Sequence, residues 1–321
     1  MPRLSSTLQK SFDSTQFAQP LVHIGYPKTA STWLQQTIFN DKKNGFYAPW
    51  GLPSGEATEQ FVLANEFRFS AEAARRAFEP GLKMATGRHL VPVLSQETLV
   101  GSQIRGRYWG KEVADRLHQV LPEARIFILI REQKSMILSS YREHIKMGGI
   151  TTIERFIGLE KRRRGFGALC RLDFLEYDLL ISYYQELFGK KNVFVLPFEL
   201  LKRDRGLFLQ KLSEFSGLDI IPNADRKAHN VGFKGATVEL RRKLNYFFQS
   251  DDFGGGKLPL NWRVAQKIST TFDRIVPQPI HDRAERYLKE CIDEAVGDSF
   301  AKSNHRTSQL IDTNLLDFGY S

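Results

Sequence analysis

The stretch that decides the fold is LVHIGYPKTASTWL, residues 21–34. Its apolar beginning predicts a buried strand that ends near Gly25, and a helical pattern begins at Trp33. The first backbone N–H groups of such a helix are unpaired and carry partial positive charge, so the junction of strand, loop and helix can bind anions. Lys28 adds a full positive charge, and neighbouring hydroxyl residues add hydrogen-bond donors. The stretch therefore predicts a site for a phosphate or sulfate group.

The hydroxyl residues of this loop are Thr29, Ser31 and Thr32. A strand, a turn and a helix capped by Ser or Thr also occur in α/β domains that bind nothing at the junction. A nucleoside triphosphate P-loop needs Gly directly before the Lys and another Gly five residues earlier, but Pro27 and Val22 hold those places. The sequence therefore disfavours a Walker-type kinase or ATPase, and the density of Lys and hydroxyls favours a binding loop over a plain helix cap.

The composition limits the class of protein and its partners. The chain has 321 residues, a formal net charge of +10 and two cysteines. The cysteine count excludes a disulfide framework and a cysteine-rich zinc site, and the positive charge favours anionic partners. Residues 1–20 lack the apolar core of a signal peptide and are expected to form a loosely ordered arm before a single domain over residues 21–321. No run approaches membrane-spanning length, so a cytoplasmic location without a transmembrane segment is expected.

Further apolar runs predict the other strands of an α/β sheet. Short strands are expected at residues 45–49 and 89–94, a longer one at 124–131, and a strand with its exit at 192–201. Helical patterns separate these strands, the first of them over residues 56–79. Strands that alternate with helices predict a P-loop-like parallel sheet of four to five strands with helices on both faces.

Glu97 is a candidate site residue from geometry alone. It lies just past the predicted strand that ends at Leu94, and the residues beyond the carboxyl ends of parallel strands line the ligand crevice. Glu97 is therefore expected at the same edge of the sheet as Lys28. The alternative is that Ser95 caps the next helix and Glu97 occupies its first turn, where the helix dipole favours a carboxylate.

The segment GYPKTASTWL, residues 25–34, resembles the 5′-phosphosulfate-binding loop of sulfotransferases that use 3′-phosphoadenosine 5′-phosphosulfate (PAPS). That loop usually reads Pro-Lys-Ser/Thr-Gly-Thr/Ser-Thr-Trp, and Ala30 replaces its Gly here, where a methyl group limits how closely the backbone approaches a phosphate. Arg131, at the end of a predicted strand, and Ser139, in the following predicted helix, resemble the family's 3′-phosphate site. A guanidinium fork and a helix hydroxyl suit phosphate oxygens.

The resemblance covers most of the chain from Leu21 onward. It implies transfer of a sulfuryl group from PAPS to an acceptor hydroxyl or amine, which leaves 3′-phosphoadenosine 5′-phosphate (PAP). It further implies that Lys28 stabilises the leaving phosphate, with residues 29–32 around it, and that Glu97 deprotonates the acceptor. Trp33 would flank the adenine, although a place in the core is an equally good interpretation. The scheme requires no metal.

The resemblance also implies a basic segment that closes over the cofactor. Residues 222–260 are the candidate, with Arg226, Lys227 and Lys234 as its cations. The basic run at 161–164 has no interleaved aromatic residues, so no nucleic-acid partner is expected. Glycans and small molecules both stay open as acceptors, and a carbohydrate-type acceptor is preferred because a Glu base resembles the carbohydrate enzymes. The alternatives are a P-loop-like kinase and a non-catalytic nucleotide-binding protein.

Overall fold

The computed structural model describes residues 18–160, 167–221, 232–250 and 254–321. Its main sheet consists of β1 (Leu21–His23), β2 (Phe46–Tyr47), β3 (Val91–Ser95), β4 (Arg125–Ile130) and β5 (Val193–Pro197). The order across the sheet is β2-β3-β1-β4-β5, and every neighbouring pair is parallel. The predicted parallel sheet of four to five strands is confirmed.

The loop after β1 leaves the middle of the sheet, because β1 pairs with β3 on one side and with β4 on the other. His23 is level with Ser95 of β3 and with Phe127 of β4. The pairing extends beyond the strand, where Ile24 N donates to Phe127 O at 3.1 Å. Residues that follow β1, β3 and β4 therefore emerge at one edge of the sheet, the edge at which parallel sheets bind ligands.

Helices cover both faces of the sheet. In chain order they are α1 (Ser31–Trp33), α2 (Gly55–Ala57), α3 (Ala71–Gly87), α4 (Gly110–Val120), α5 (Gln133–Lys146), α6 (Ile153–Ile157), α7 (Tyr177–Phe188), α8 (Phe198–Arg203), α9 (Arg205–Ser216), α10 (Gly235–Asn245), α11 (Trp262–Ile275), α12 (Gln278–Val296) and α13 (Ala301–Leu310). π-Helices at Leu34–Phe39 and Thr58–Leu63 extend α1 and α2, and 3₁₀-helices lie at Lys42–Asn44, Glu97–Val100, Leu172–Leu175, Lys190–Asn192 and Leu315–Phe318. A separate antiparallel hairpin pairs β6 (Phe248–Ser250) with β7 (Gly254–Asn261).

Alternate residues of β4 enter two hydrophobic cores. Ile126, Ile128 and Ile130 belong to the larger core, to which α3, α4, α5, α7 and α12 contribute. Phe127 and Leu129 belong to the smaller core, which is completed by α8, α9 and the helix that begins with α1. Because successive side chains of a strand point to opposite faces, this division shows a sheet that is buried on both sides.

Helix is expected over most of residues 56–79, and the structure has two helical segments there with a break between them. In the break, Asn65 Oδ1 accepts a hydrogen bond from Phe67 N at 3.0 Å. Ser70 Oγ then accepts from Ala73 N at 3.3 Å as the N-cap of α3. These short polar side chains satisfy backbone N–H groups locally, which interrupts one helix and begins the next.

Some of the sequence predictions lie outside the described residues. They concern residues 1–17 of the N-terminal arm, the basic run 161–164, and Arg226 and Lys227 of the covering segment. The last residues of the predicted arm are attached to the domain, because Ala18 N donates to Thr86 Oγ1 at 2.8 Å. None of the helices in the described ranges is both long enough and apolar enough to cross a membrane.

Candidate active site

The loop between β1 and α1 has a strained backbone. Lys28 and Ala30 both adopt the left-handed conformation, with φ of 72° and 67°. Thr29, between them, is buried and donates its hydroxyl to Tyr26 O at 2.5 Å. A non-glycine residue in this conformation costs about 1–2 kcal/mol. The glycine that the sulfotransferase motif has in place of Ala30 would avoid this cost, so Ala30 adds strain to the loop.

The hydroxyls at the start of α1 differ in burial. Thr32 is exposed, whereas Ser31 is buried. The Ser31 hydroxyl interacts with the carboxyl group of Glu97 and lowers its pKa. A buried hydroxyl that can donate to a carboxylate also suits an oxygen of an anionic ligand, because it adds a donor beside the unpaired N–H groups at the start of the helix. The residues of the loop therefore fit the phosphosulfate group that the resemblance implies.

Lys28 is paired with a carboxylate that the sequence analysis did not identify. Its Nζ lies 2.8 Å from Oε2 of Glu143, in the last turn of α5, and both side chains are partly exposed. Burial raises the pKa of Glu143, but the hydrogen bond and charge of Lys28, together with Lys146, lower the pKa further than burial raises it. An anionic ligand that binds Lys28 must therefore compete with Glu143.

Glu97 begins a 3₁₀-helix just past β3 and lies close to the same lysine. Burial raises the pKa of the Glu97 carboxyl, and the charge of Glu143 raises it further. The hydrogen bond with the Ser31 hydroxyl and the charge of Lys28 lower the pKa of Glu97, but by less than burial and Glu143 raise it. These mutual effects place Glu97, Ser31, Lys28 and Glu143 in one cluster at the carboxyl edge of the sheet. A carboxylate with a raised pKa holds a proton more strongly than usual, as a general base requires.

Ser95 does not cap the helix after β3, although the sequence allowed that interpretation. The N-cap is Gln96, whose side chain accepts from Thr98 N at 3.4 Å. Ser95 Oγ instead lies 2.8 Å from His23 Nδ1 and accepts from Gln35 Nε2 at 3.1 Å. Burial lowers the pKa of His23 to about 3, so the ring is neutral and joins β1 to β3.

Arg131 follows β4 and holds the loop from the other side. Its Nη1 donates to Lys28 O at 3.1 Å, and its Nε donates to Ser135 Oγ at 3.0 Å. Its guanidinium carbon lies 5.2 Å from the centroid of the Phe198 ring. Burial lowers the pKa of Arg131, and the charge of Glu199 opposes that shift. The guanidinium therefore connects the loop after β1 to the first turn of α5.

One face of α5 links Arg131 to Lys28. Ser135, Ser139 and Glu143 recur every four residues, so they share this face of the helix. Ser135 contacts Arg131 and Glu143 contacts Lys28, which places the half-buried Ser139 between the two cations. The four-residue spacing from Ser139 is the sequence signal that could have identified Glu143.

Trp33 packs against the smaller core. Its half-buried ring meets Phe208 of α9 edge-on, with 6.4 Å between ring centroids. The guanidinium carbon of Arg205 lies 5.7 Å from the centroid of the Trp33 ring. These contacts favour the core interpretation of Trp33, and its contact with adenine stays a prediction.

A second set of contacts fixes the end of β4. Arg131 O accepts a hydrogen bond from Tyr177 OH at 2.5 Å. Glu199, at the exit of β5, accepts from Glu132 N at 3.2 Å and from Tyr320 OH at 2.9 Å. Glu199 therefore joins the exits of two strands to a residue 121 positions further along the chain.

The described part of the chain contains no group of three or more His, Cys, Asp or Glu side chains that could hold a metal ion. The groups available to hold an anionic cofactor are the backbone, cation and hydroxyls of residues 28–32, with Arg131 and Ser139. The arrangement thus offers cationic and hydroxyl donors on the loop and at Arg131, with the Glu97 carboxyl coupled to Lys28.

Comparisons with known proteins identify a similar fold. No protein-family model and no curated protein sequence matches this chain. Among solved structures, a sulfotransferase from Alicyclobacillus acidocaldarius aligns over 94% of this chain and 99% of its own, with 15% sequence identity and a TM-score of 0.51. Sulfotransferase domains from the curacin biosynthetic pathway and the Synechococcus PCC 7002 olefin synthase align over 81% and 82% of this chain and 100% and 98% of theirs. Both of these have 12% identity, with TM-scores of 0.36 and 0.34. The first likeness shows a shared fold.

Proposed function

We propose that this protein is a PAPS-dependent sulfotransferase, which moves a sulfuryl group from PAPS to a hydroxyl or amine acceptor and releases PAP. The observation that carries the proposal is the cluster at the carboxyl edge of the sheet. There Glu97, with its raised pKa, is coupled to Lys28 in a loop suited to anions. The fold shared with the Alicyclobacillus acidocaldarius sulfotransferase supports the same proposal.

Two anchors would hold the cofactor. Lys28, the N–H groups at the start of α1 and the hydroxyls of residues 29–32 suit the phosphosulfate. Arg131 and Ser139 suit the 3′-phosphate, since a guanidinium and a hydroxyl both donate to phosphate oxygens. PAPS, when bound, supplies an activated sulfuryl group and a stable leaving group.

Lys28 has the electrostatic role in this proposal. Its ammonium group exchanges Glu143 for the ligand and stabilises the negative charge that develops on the leaving phosphate. Arg131 assists indirectly, because its hydrogen bond to Lys28 O holds the backbone of the loop in place. Positioned charges of this kind account for most of the catalysis in the related phosphoryl transfers.

Glu97 has the role of general base. It accepts the proton of the acceptor. A general base works best when its pKa lies near the pH of the reaction, and the raised pKa of Glu97 brings it closer to neutral pH. Activity is therefore expected to fall as the pH drops through this raised pKa, because a protonated carboxyl cannot accept a proton. We propose a carbohydrate-type acceptor, because a Glu base resembles the carbohydrate sulfotransferases.

The experiment that tests the proposal is calorimetric titration of PAP into the wild type and into Lys28→Ala and Arg131→Ala. Each variant loses a charged donor, so we expect PAP binding to weaken by about tenfold to a hundredfold. The matched control is Lys83→Ala, which removes an exposed lysine whose ion pair with Glu79 lies on the surface of α3. This control is expected to bind PAP as the wild type does.

ATP serves as the competing ligand. If ATP binds as tightly as PAP, a kinase-like function replaces the proposal. If PAP binds tightly but no sulfate is transferred from PAPS to any of a panel of sugars, phenols and amines, the protein is a nucleotide-binding protein without this activity. Absence of PAP binding by folded wild type contradicts the proposal directly.

A further inference from the structure

Helix α11 carries an exposed apolar stripe. Val264, Ile268 and Ile275 are spaced by four and seven residues, which places them on one side of the helix. Their exposed fractions are 46%, 41% and 71%, so the described part of the chain leaves them largely uncovered. Ala265 and Ser269 are buried and show that a different side of α11 packs on the domain. The apolar stripe therefore faces away from the core.

A cationic stripe runs beside the apolar one. A basic residue directly precedes each exposed aliphatic residue, and these basic residues are Arg263, Lys267 and Arg274. All three are exposed. Consecutive residues lie about 100° apart around a helix, so the positive charges line one border of the apolar stripe along its length. The acidic residue of α11, Asp273, instead accepts a hydrogen bond from Lys234 N at 3.0 Å.

Aromatic residues lie around the beginning of α11. Tyr246 and Phe247 precede β6, and Trp262 follows β7. The strands pair antiparallel, with Gln249 level with Asn261, so both ends of the hairpin meet here. The Tyr246, Phe247 and Trp262 side chains are 44%, 47% and 42% exposed, and the first two rings pack edge-on with centroids 5.6 Å apart.

We propose that this exposed face of α11 docks on an anionic membrane surface. A helix with an aliphatic side, a border of Lys and Arg, and aromatic residues at one end matches the chemistry of helices that lie in the lipid headgroup region. The basic residues attract acidic headgroups, while the aliphatic side chains of the stripe enter the boundary with the acyl chains. The net charge of +10 favours approach to such a surface.

A second copy of the chain is a less suitable occupant. A two-fold interface brings the same patch of each copy together. In an antiparallel pairing of two α11 helices the cationic stripes of both copies would lie on the same side of the interface and repel each other. An acidic lipid surface supplies the opposite charge at every point along the stripe, so charge complementarity selects the membrane.

The test is co-sedimentation of the full chain with two kinds of vesicle, pure phosphatidylcholine and phosphatidylcholine with about one third phosphatidylglycerol. We expect binding to the anionic vesicles alone, with a strong decrease as salt is added. Lys267→Gln/Arg274→Gln should lower the partition coefficient by roughly fivefold for each charge removed. Lys42→Gln/Lys43→Gln, which removes the same charge from an exposed segment elsewhere, should leave binding within about twofold of wild type.

Removal of the apolar stripe is tested separately, without a change of charge. Ile268→Ser/Ile275→Ser should lower the partition coefficient by at least about tenfold. Leu316→Ser, at a residue 71% exposed in another region, should not. Unchanged circular dichroism and thermal midpoints verify that the variants are folded.

Four outcomes overturn the proposal. The first two are no binding to anionic vesicles and equal binding to neutral ones. The third is an equal loss of binding in Lys267→Gln/Arg274→Gln and in the control Lys42→Gln/Lys43→Gln, and the fourth is no loss in Ile268→Ser/Ile275→Ser. Light scattering adds a fifth outcome, because a dimer that Ile268→Ser/Ile275→Ser dissociates would identify a second copy as the occupant.

Discussion

Lys28 Nζ and Glu143 Oε2 lie 2.8 Å apart, so a carboxylate of α5 competes with anionic ligands for the lysine of the loop. Glu143→Gln removes this competitor and leaves the side-chain volume nearly unchanged. We expect the variant to bind PAP about threefold to tenfold more tightly than the wild type, because a partly exposed ion pair contributes a free energy of about that size. Calorimetric titration at low salt measures the difference.

The control for this prediction is Glu72→Gln, which breaks an exposed ion pair with Arg76 in α3 and should not change PAP affinity. Weaker binding by Glu143→Gln would mean that Glu143 positions Lys28 for the ligand rather than competing with it. Since the charge of Glu143 also raises the pKa of Glu97, the acid limb of the pH–rate profile should move to lower pH in the same variant.

Ala30→Gly is expected to stabilise the protein by about 1 kcal/mol, because Ala30 has a φ of 67° and glycine adopts this conformation without strain. Ala77→Gly, inside α3, should destabilise by about the same amount, since glycine weakens a right-handed helix. Urea denaturation of the two variants gives both values. If both substitutions destabilise the protein, Ala30 is not strained in solution.

Glu97→Gln should separate activity from stability. The pKa of Glu97 is raised in the folded protein, so the protonated carboxyl contributes stability that is present at low pH and lost as the pH rises through the raised pKa. Gln is neutral throughout, and the variant should therefore be more stable than wild type near pH 7. Transfer to the acceptor should fall by at least about a hundredfold.

Thermal unfolding at a series of pH values checks this prediction. The advantage of Glu97→Gln should shrink as the pH falls below the ordinary range of carboxyl groups, where wild-type Glu97 is protonated in the folded and the unfolded chain alike. An advantage that is constant with pH would show that ionised Glu97 carries no energetic penalty.

Arg131→Lys keeps the positive charge and removes the guanidinium fork. Arg131 contacts both Lys28 O and Ser135 Oγ, so the shorter reach of one ammonium group cannot replace it. We expect the preference for PAP over AMP, which lacks the 3′-phosphate, to fall by about tenfold to a hundredfold. Competition binding of the two nucleotides measures this ratio, and Arg76→Lys on the surface of α3 is the control. A similar loss of affinity for both nucleotides would place Arg131 away from the 3′-phosphate.

The sheet and the edge that carries the site could be predicted, because each key residue follows a run of apolar residues. Lys28, Glu97 and Arg131 come after β1, β3 and β4, and parallel strands bring their carboxyl ends together. The partner of Lys28 was missed: the spacing from Ser139 places Glu143 on the right face of α5, but its contact with Lys28 depends on the distance between two elements. The left-handed backbone of Ala30 was equally hidden, because an alanine in that conformation is uncommon and local sequence does not indicate it.

The hydrogen bond between Tyr320 and Glu199 has a consequence for biosynthesis. These residues are 121 positions apart, so at roughly 10 residues per second a ribosome adds Tyr320 on the order of ten seconds after Glu199. During that interval the exits of β4 and β5 can be translated and paired, but the phenol that completes their junction has not yet been made. Folding before that point therefore proceeds without the hydrogen bond from Tyr320, so the junction between the two strand exits is completed only after nearly the whole chain has been made.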